Sequence, residues 1–147
     1  MTKICLISDS HGNKEKVEDL LIDSKFDYVF FMGDGLRDLR DVDSDNIKKV
    51  CGNCDFFSDE ANTLFVNLAD KKIMITHGHI YKAKLTKLLM VNYAKQNNAQ
   101  IVCYGHTHMQ NDEIIDNVQI INPGSLKSGQ YAVMTIDKDL VKVDFFS

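Results

Sequence analysis

Proline occurs once in these 147 residues, and no apolar run approaches the roughly 20 residues of a membrane-spanning helix. Internal repeats, low-complexity segments and linker-like stretches are absent as well, so residues 1–147 are expected to form one domain. A strand-like run begins at Lys3, and a cytoplasmic location without a membrane partner is the expectation. Neither sign of charge dominates: 17 basic residues stand against 21 acidic ones, intermixed, for a formal net charge of −4. That balance argues against nucleic acid as the main partner. Cysteine is scarce and scattered. Cys5 and Cys103 lie inside apolar runs, where cysteine serves as a small core residue. Cys51-Gly-Asn-Cys54 is a C-x-x-C pair without a second pair to complete a zinc knuckle, and nothing favours a thioredoxin-like redox role over it. A reducing compartment suits all four thiols.

What the chain does contain is an ordinary globular composition, 44% hydrophobic, at a length that buries about two-thirds of the unfolded surface. Lys3–Ser8 reads as a buried strand, followed by a helix over Lys14–Ser24 with Val17, Leu20 and Leu21 at helical spacing and Asn13 as N-cap. Tyr28–Met32 and the short Ile47–Val50 are further strands, and continuous apolar strands separated by a helix predict largely parallel pairing. Hairpins are expected at Thr63–Leu68 with Lys72–Thr76, at Glu113–Ile115 with Val118–Asn122, and at Tyr131–Ile136 with Val141–Phe146. Between them lie a helix over Lys82–Asn97, with a stripe of Leu85, Leu88, Leu89 and Tyr93, and a buried strand over Ile101–Tyr104. Mixed parallel and hairpin pairing predicts an α/β protein of two packed mixed β-sheets, a β-sandwich flanked by helices. Pro123, in Asn122-Pro-Gly-Ser125, marks a fixed turn.

All five histidines fall in three short clusters, each at the end of an expected strand: Asp9-Ser-His11, His77-Gly-His79 and Gly105-His106-Thr-His108. Gly33-Asp34 and Gly52-Asn53-Cys54-Asp55 end similar runs. Each pair alone is compatible with a solvated loop. Together they place imidazoles, carboxylates and an amide where they can converge on one edge of a sheet, as a metal site requires.

These motifs, in this order from residue 9 to residue 125, resemble the calcineurin-like metallophosphoesterase family, and within it a group of small single-domain phosphodiesterases. The resemblance covers nearly the whole chain. It implies the family's sandwich fold and two divalent ions, one held by Asp9, His11, Asp34 and His108, the other by Asp34, Asn53, His77 and His106, with Asp34 shared. Two such ions, about 3.5–4 Å apart, polarise a phosphoryl group and supply a bridging hydroxide as nucleophile. The mixed nitrogen and oxygen donors suit Mn²⁺ first, with Fe²⁺, Co²⁺, Ni²⁺ or Zn²⁺ as alternatives.

The chain departs from the family pattern twice. Gly-Asp-x-x-Asp is common at the second motif, whereas Gly35-Leu36-Arg37 follow Asp34; Arg37 is either a surface residue or a contact to substrate phosphate. Many members carry histidine after the Asn53 equivalent, where it can protonate a leaving group; this chain has Cys54, leaving Cys54, Asp55 and His79 as candidate acids. The expected activity is hydrolysis of small-molecule phosphodiesters, with specificity set by the loops Phe56–Asn62 and Gly78–Ala83. The alternative is a catalytically weak protein-binding scaffold of the same fold, as in the retromer subunit related to this family. That subunit has lost ligand positions, whereas each is filled here. A nuclease of the family's larger type would need a capping domain for which the chain is too short. The edge hairpins would allow a homo-oligomer.

Overall fold

Alternation of buried side chains builds two faces onto each central strand. The computed structural model describes residues 1–22, 25–42 and 44–147. In chain order its elements are β1 (Thr2–Ile7), α1 (Lys14–Ile22), β2 (Tyr28–Phe31), β3 (Ile47–Lys49), β4 (Thr63–Leu68) and β5 (Lys71–Thr76). They continue with α2 (Leu88–Gln96), β6 (Ile101–Cys103), β7 (Asn111–Ile115), β8 (Val118–Asn122), β9 (Tyr131–Asp137) and β10 (Leu140–Phe146). Two five-stranded sheets result, ordered β10-β9-β1-β2-β3 and β4-β5-β6-β8-β7. Pairing is parallel along β1-β2-β3 and along β5-β6-β8, and antiparallel at the other junctions. The expected mixed sandwich is what forms.

Ile4 and Leu6 of β1, with Phe30 and Met32, face Ile73, Ile75, Ile101, Cys103 and Ile121 of the other sheet. The intervening Cys5 and Ile7 turn outward, onto Val17 of α1, Leu39 and Leu126. Because both faces are covered, these strands read as unbroken apolar runs. Asn13 caps α1 through Oδ1, which accepts the Lys16 N–H at 3.4 Å. The last expected residue of that helix, Ser24, lies outside the described residues. Cys5 and Cys103 are buried core residues, and burial pushes the Cys5 thiol up to about 12. The hairpins at Ala69-Asp70 and Asp116-Asn117 close with two residues each, all four at positive φ, the geometry that matches strand twist.

One expectation fails. The helix proposed over Lys82–Asn97 is confined to Leu88–Gln96, preceded by a 3₁₀ turn at His79–Tyr81. Lys82 takes a left-handed conformation, φ +57°, which cannot propagate an α-helix. The stripe fails with it: Leu85, Leu88, Leu89 and Tyr93 are all exposed, whereas Met90, Val91 and Ala94 are buried against Met74, Val102, Tyr104 and Ile120. Apolar residues occupy both faces of this segment, so spacing alone selected the wrong one. Met90→Ala is therefore expected to cost about 2–5 kcal/mol, the range for emptying a packed site. Leu85→Ala should stay within about 0.5 kcal/mol. Urea midpoints at unchanged m-value measure both; a larger loss from Leu85→Ala would restore the original stripe.

Candidate metal centre

Parallel pairing puts the carboxyl ends of β1, β2 and β3 on one edge of the first sheet, and those of β5, β6 and β8 on one edge of the second. The loops that leave these ends carry Asp9–His11, Asp34, Asn53–Asp55, His77–His79, His106–His108 and Asn122–Ser125. Packing the sheets face to face brings the two edges together. The approach is close enough to demand glycine. A Cβ on Gly105 would meet Ser8 Oγ at 2.0 Å and Asp9 Oδ2 at 2.6 Å, and one on Gly33, at φ +96°, would meet the Gly52 nitrogen at 2.7 Å. Asp9, His11, Asp34, His106 and His108 all hold positive φ, between 42° and 70°. Such non-glycine conformations cost on the order of 1–3 kcal/mol each and concentrate at functional sites.

Two groups of side chains converge. Asp9, His11 and His108 each offer a ligand atom within 4.8 Å of the others, as do Asp34, His77 and His106. Asp34 faces both, with Oδ2 3.7 Å from His11 Nε2 and 3.2 Å from His77 Nε2. Asp9 Oδ1 lies 3.2 Å from His108 Nε2, 3.6 Å from His11 Nε2 and 3.8 Å from His77 Nε2. That oxygen is buried and, among the described residues, has no hydrogen-bond partner. An orphaned carboxylate oxygen ringed by three imidazole nitrogens is the arrangement a divalent cation satisfies, so the donor set fits a metal.

Backbone hydrogen bonds orient the donors. His77 Nδ1 donates to the Met32 carbonyl at 2.6 Å, which directs its Nε2 lone pair at the cluster. Asp34 Oδ1 accepts the Cys54 N–H at 2.8 Å, and Asp9 Oδ2 accepts from Ser8 Oγ at 2.6 Å and the His106 N–H at 3.0 Å. Burial opposes the charge on Asp34, but His77 and the Cys54 amide outweigh it and hold the carboxyl well below the usual carboxylate range. Burial also opposes the charge on His77, yet Asp34 and Asp9 raise it overall. His106 is pushed down to about 4 by burial, His77 and Lys84.

The remaining sequence candidates are placed less uniformly. Cys54 is exposed, its thiol within 4.8 Å of His11 and Asp34, and raised by desolvation and by Asp34. Asn53 stands beside it, its amide nitrogen 3.5 Å from Cys54 Sγ; among the described residues no hydrogen bond ties its amide oxygen to the cluster. His79 packs its ring 5.4 Å from His77, has a buried Nδ1 with no partner among the described residues, and is lowered by burial and by His77. Asp55 uses both carboxylate oxygens on four backbone N–H groups: Asp34 and Gly52 on Oδ2, Gly35 and Leu36 on Oδ1, at 2.7–3.0 Å. Those contacts make it a clamp on the loop that carries Asp34. Arg37 is exposed and lines the cavity beside His11 and Asp34.

One residue absent from the sequence analysis, Asp38, and the expected Pro123 turn complete the frame. Asp38 accepts from Ser10 Oγ at 2.5 Å and the Gly12 N–H at 2.9 Å, tying the first histidine loop to the second motif. It lies one position beyond the acidic residue of the family pattern, which is the signal that could have found it. Asn122 donates to the Gly105 carbonyl and to Thr107 Oγ1, both at 3.0 Å, and Ser125 Oγ donates to the Asp9 carbonyl at 2.8 Å. The Pro123 turn thus holds two of the histidine loops.

Comparison with known proteins agrees with this fold and with the family the motifs resemble. Residues 2–139 match the family model described as the calcineurin-like phosphoesterase superfamily domain. The chain is 30% identical to the probable metallophosphoesterase YsnB of Bacillus subtilis, over 97% of this chain and 89% of that protein. It is 26% identical to the phosphodiesterase YfcE of Escherichia coli, over 97% and 91%. A crystal structure of a predicted phosphoesterase from Streptococcus pneumoniae superposes with a TM-score of 0.87 at 31% identity, covering 99% of this chain and 89% of that one. Vps29 of Chaetomium thermophilum superposes with a TM-score of 0.79 at 15% identity, covering 99% and 94%, a likeness of fold alone.

The Asp55 clamp is testable without metal. Asp55→Ala strips the acceptors from four backbone N–H groups and is expected to cost about 1–3 kcal/mol. Amide exchange should quicken at Asp34, Gly35, Leu36 and Gly52. Unchanged protection at those four amides would show that the loop holds itself.

Proposed function

This chain belongs to the calcineurin-like phosphoesterase superfamily, and we propose that residues 1–147 form one catalytic domain hydrolysing small-molecule phosphodiesters at a binuclear metal centre. The observation that carries this reading is the buried, unpartnered Asp9 Oδ1 amid three imidazole nitrogens. Asp9, His11, Asp34 and His108 would hold one ion, and Asp34, Asn53, His77 and His106 the other; the proximity of Asp34 Oδ2 to both His11 and His77 supports the shared role. The pair of ions, Mn²⁺ in the first instance, with Fe²⁺, Co²⁺, Ni²⁺ or Zn²⁺ as alternatives, supplies Lewis-acid polarisation of the phosphoryl group and a hydroxide nucleophile near neutral pH.

The chain's own residues orient and exclude. The Cys54 amide fixes Asp34 Oδ1 and the Asp55 carboxylate holds the Asp34 backbone N–H before any ligand arrives, and the Met32 carbonyl orients His77 in the same way. Arg37 offers a cation to a phosphate oxygen. His79, with its unpartnered Nδ1, is the proposed source of the leaving-group proton; the Cys54 thiol is the second candidate. Asp55 acts through position, because its oxygens are already engaged. Among the described residues no helix is long and apolar enough to cross a membrane, and the proposed setting is the cytoplasm. A second copy can pair along the outer strands β7 or β10. The scaffold alternative rests on fold likeness, whereas the convergent donor set favours the enzyme.

Elemental analysis after metal loading and removal of excess should find two divalent ions per chain. Chelation should abolish hydrolysis of bis(4-nitrophenyl) phosphate, and Mn²⁺ should restore it at least as well as Mg²⁺. No bound metal, with no activity under any ion, would hand the case to the scaffold.

Asp34→Asn keeps the size of the shared ligand and removes its charge. Turnover should fall by about 10²-fold or more while circular dichroism stays unchanged. Near-normal turnover and metal content would refute the shared role.

A further inference from the structure

Two phenylalanines beside the centre are left in solvent. Phe56 is 78% exposed and Phe57 fully so, although burying either would stabilise the fold. Phe57 also holds φ +63°, a conformation that bulky residues rarely adopt. Both rings line a cavity of about 770 Å³ together with His11, Asp34, Arg37 and Arg40. That volume falls within the range of small-ligand sites. Among the described residues Arg37 makes no ion pair.

We propose that Phe56 and Phe57 form a stacking platform for the base of a nucleotide, so that the phosphodiesters taken by this site are nucleotidyl esters. The inference rests on the phosphodiesterase reading and names its substrate class. Exposed aromatic faces beside cations match a ligand that joins a π-system to a phosphate. An alkyl substituent would need an enclosed apolar groove, whereas Asp59 and Glu60 border this wall and tolerate only a group with a polar edge. Spacing agrees. Phe56 lies two positions beyond Cys54, whose thiol lies in the His11–Asp34 cluster, a backbone reach of about 7 Å at most. A nucleotide's phosphate and base are separated on that scale. The ring stacks on the phenylalanines while Arg37 and Arg40 draw the phosphate toward Asp34 and His11.

Calorimetric titration of the Mn²⁺-loaded protein with adenosine 5′-monophosphate and with ribose 5-phosphate separates base from phosphate. The monophosphate should bind about ten-fold more tightly or better, and the double variant Phe56→Ala/Phe57→Ala should erase that preference. Both side chains are exposed, so the variant is expected to fold, which circular dichroism checks. Equal affinities in the wild type would overturn the platform and leave the phosphodiesterase reading standing. Failure of both ligands to bind would remove the phosphate site, and both readings with it. A preference that survives in the variant, with self-association lost in light scattering, would assign the rings to a subunit contact and overturn the proposal.

Discussion

His77 leaves the second sheet at the end of β5, wholly buried, and donates from Nδ1 to the carbonyl of Met32 at the end of β2 in the first. Its other nitrogen meets Asp34 Oδ2. One ring therefore fastens the two sheet edges and fixes its own tautomer, since a carbonyl can only accept. The rest of the centre is built outward from that seam. Asp34 is aligned by His77 on one side and by the Cys54 amide on the other, and His106 approaches with Nδ1 3.2 Å from His77 Nε2. Without this contact the carboxylates would sit at a sheet edge facing water, where neither burial nor mutual orientation would be imposed on them.

Where side-chain type and strand position settle geometry together, the sequence was readable. The apolar runs Lys3–Ser8 and Ile101–Tyr104 could be buried only as central strands, and the polar clusters that end them had to emerge on one edge. The Asp116-Asn117 turn was legible because aspartate and asparagine favour the left-handed backbone, whereas the other turn tightens onto Ala69-Asp70 and gives Lys71 to β5. The helix before Gln96 was not, because apolar residues line both its faces and a left-handed Lys82 has no distinctive sequence signal. The clamping role of Asp55 was equally hidden. A carboxylate that gathers four amides and one that donates a proton are the same letter; only the backbone around it tells them apart.

Strain and close approach are the local cost of this arrangement. Five of the candidate ligands hold left-handed backbone, and Gly33 and Gly105 leave no room for a methyl group. The surrounding hydrogen bonds over-determine these loops, so a donor atom is not free to relax toward a commoner conformation when the site is empty of charge partners. Preorganisation of this kind lowers the ordering cost of binding a cation or an anion.

The Ser125 hydroxyl reaches the Asp9 carbonyl across 116 residues of sequence, and Lys127 donates its own N–H to the same oxygen. Such remote contacts close late, because the loop entropy of bringing them together comes before any reward. On a ribosome the first histidine loop emerges long before its final cap. A nascent chain that has reached His108 already holds every candidate ligand, yet the strand end that presents Asp9 is still unfastened. Synthesis order thus separates possession of the donor set from its assembly, which waits for Ser125 and Lys127.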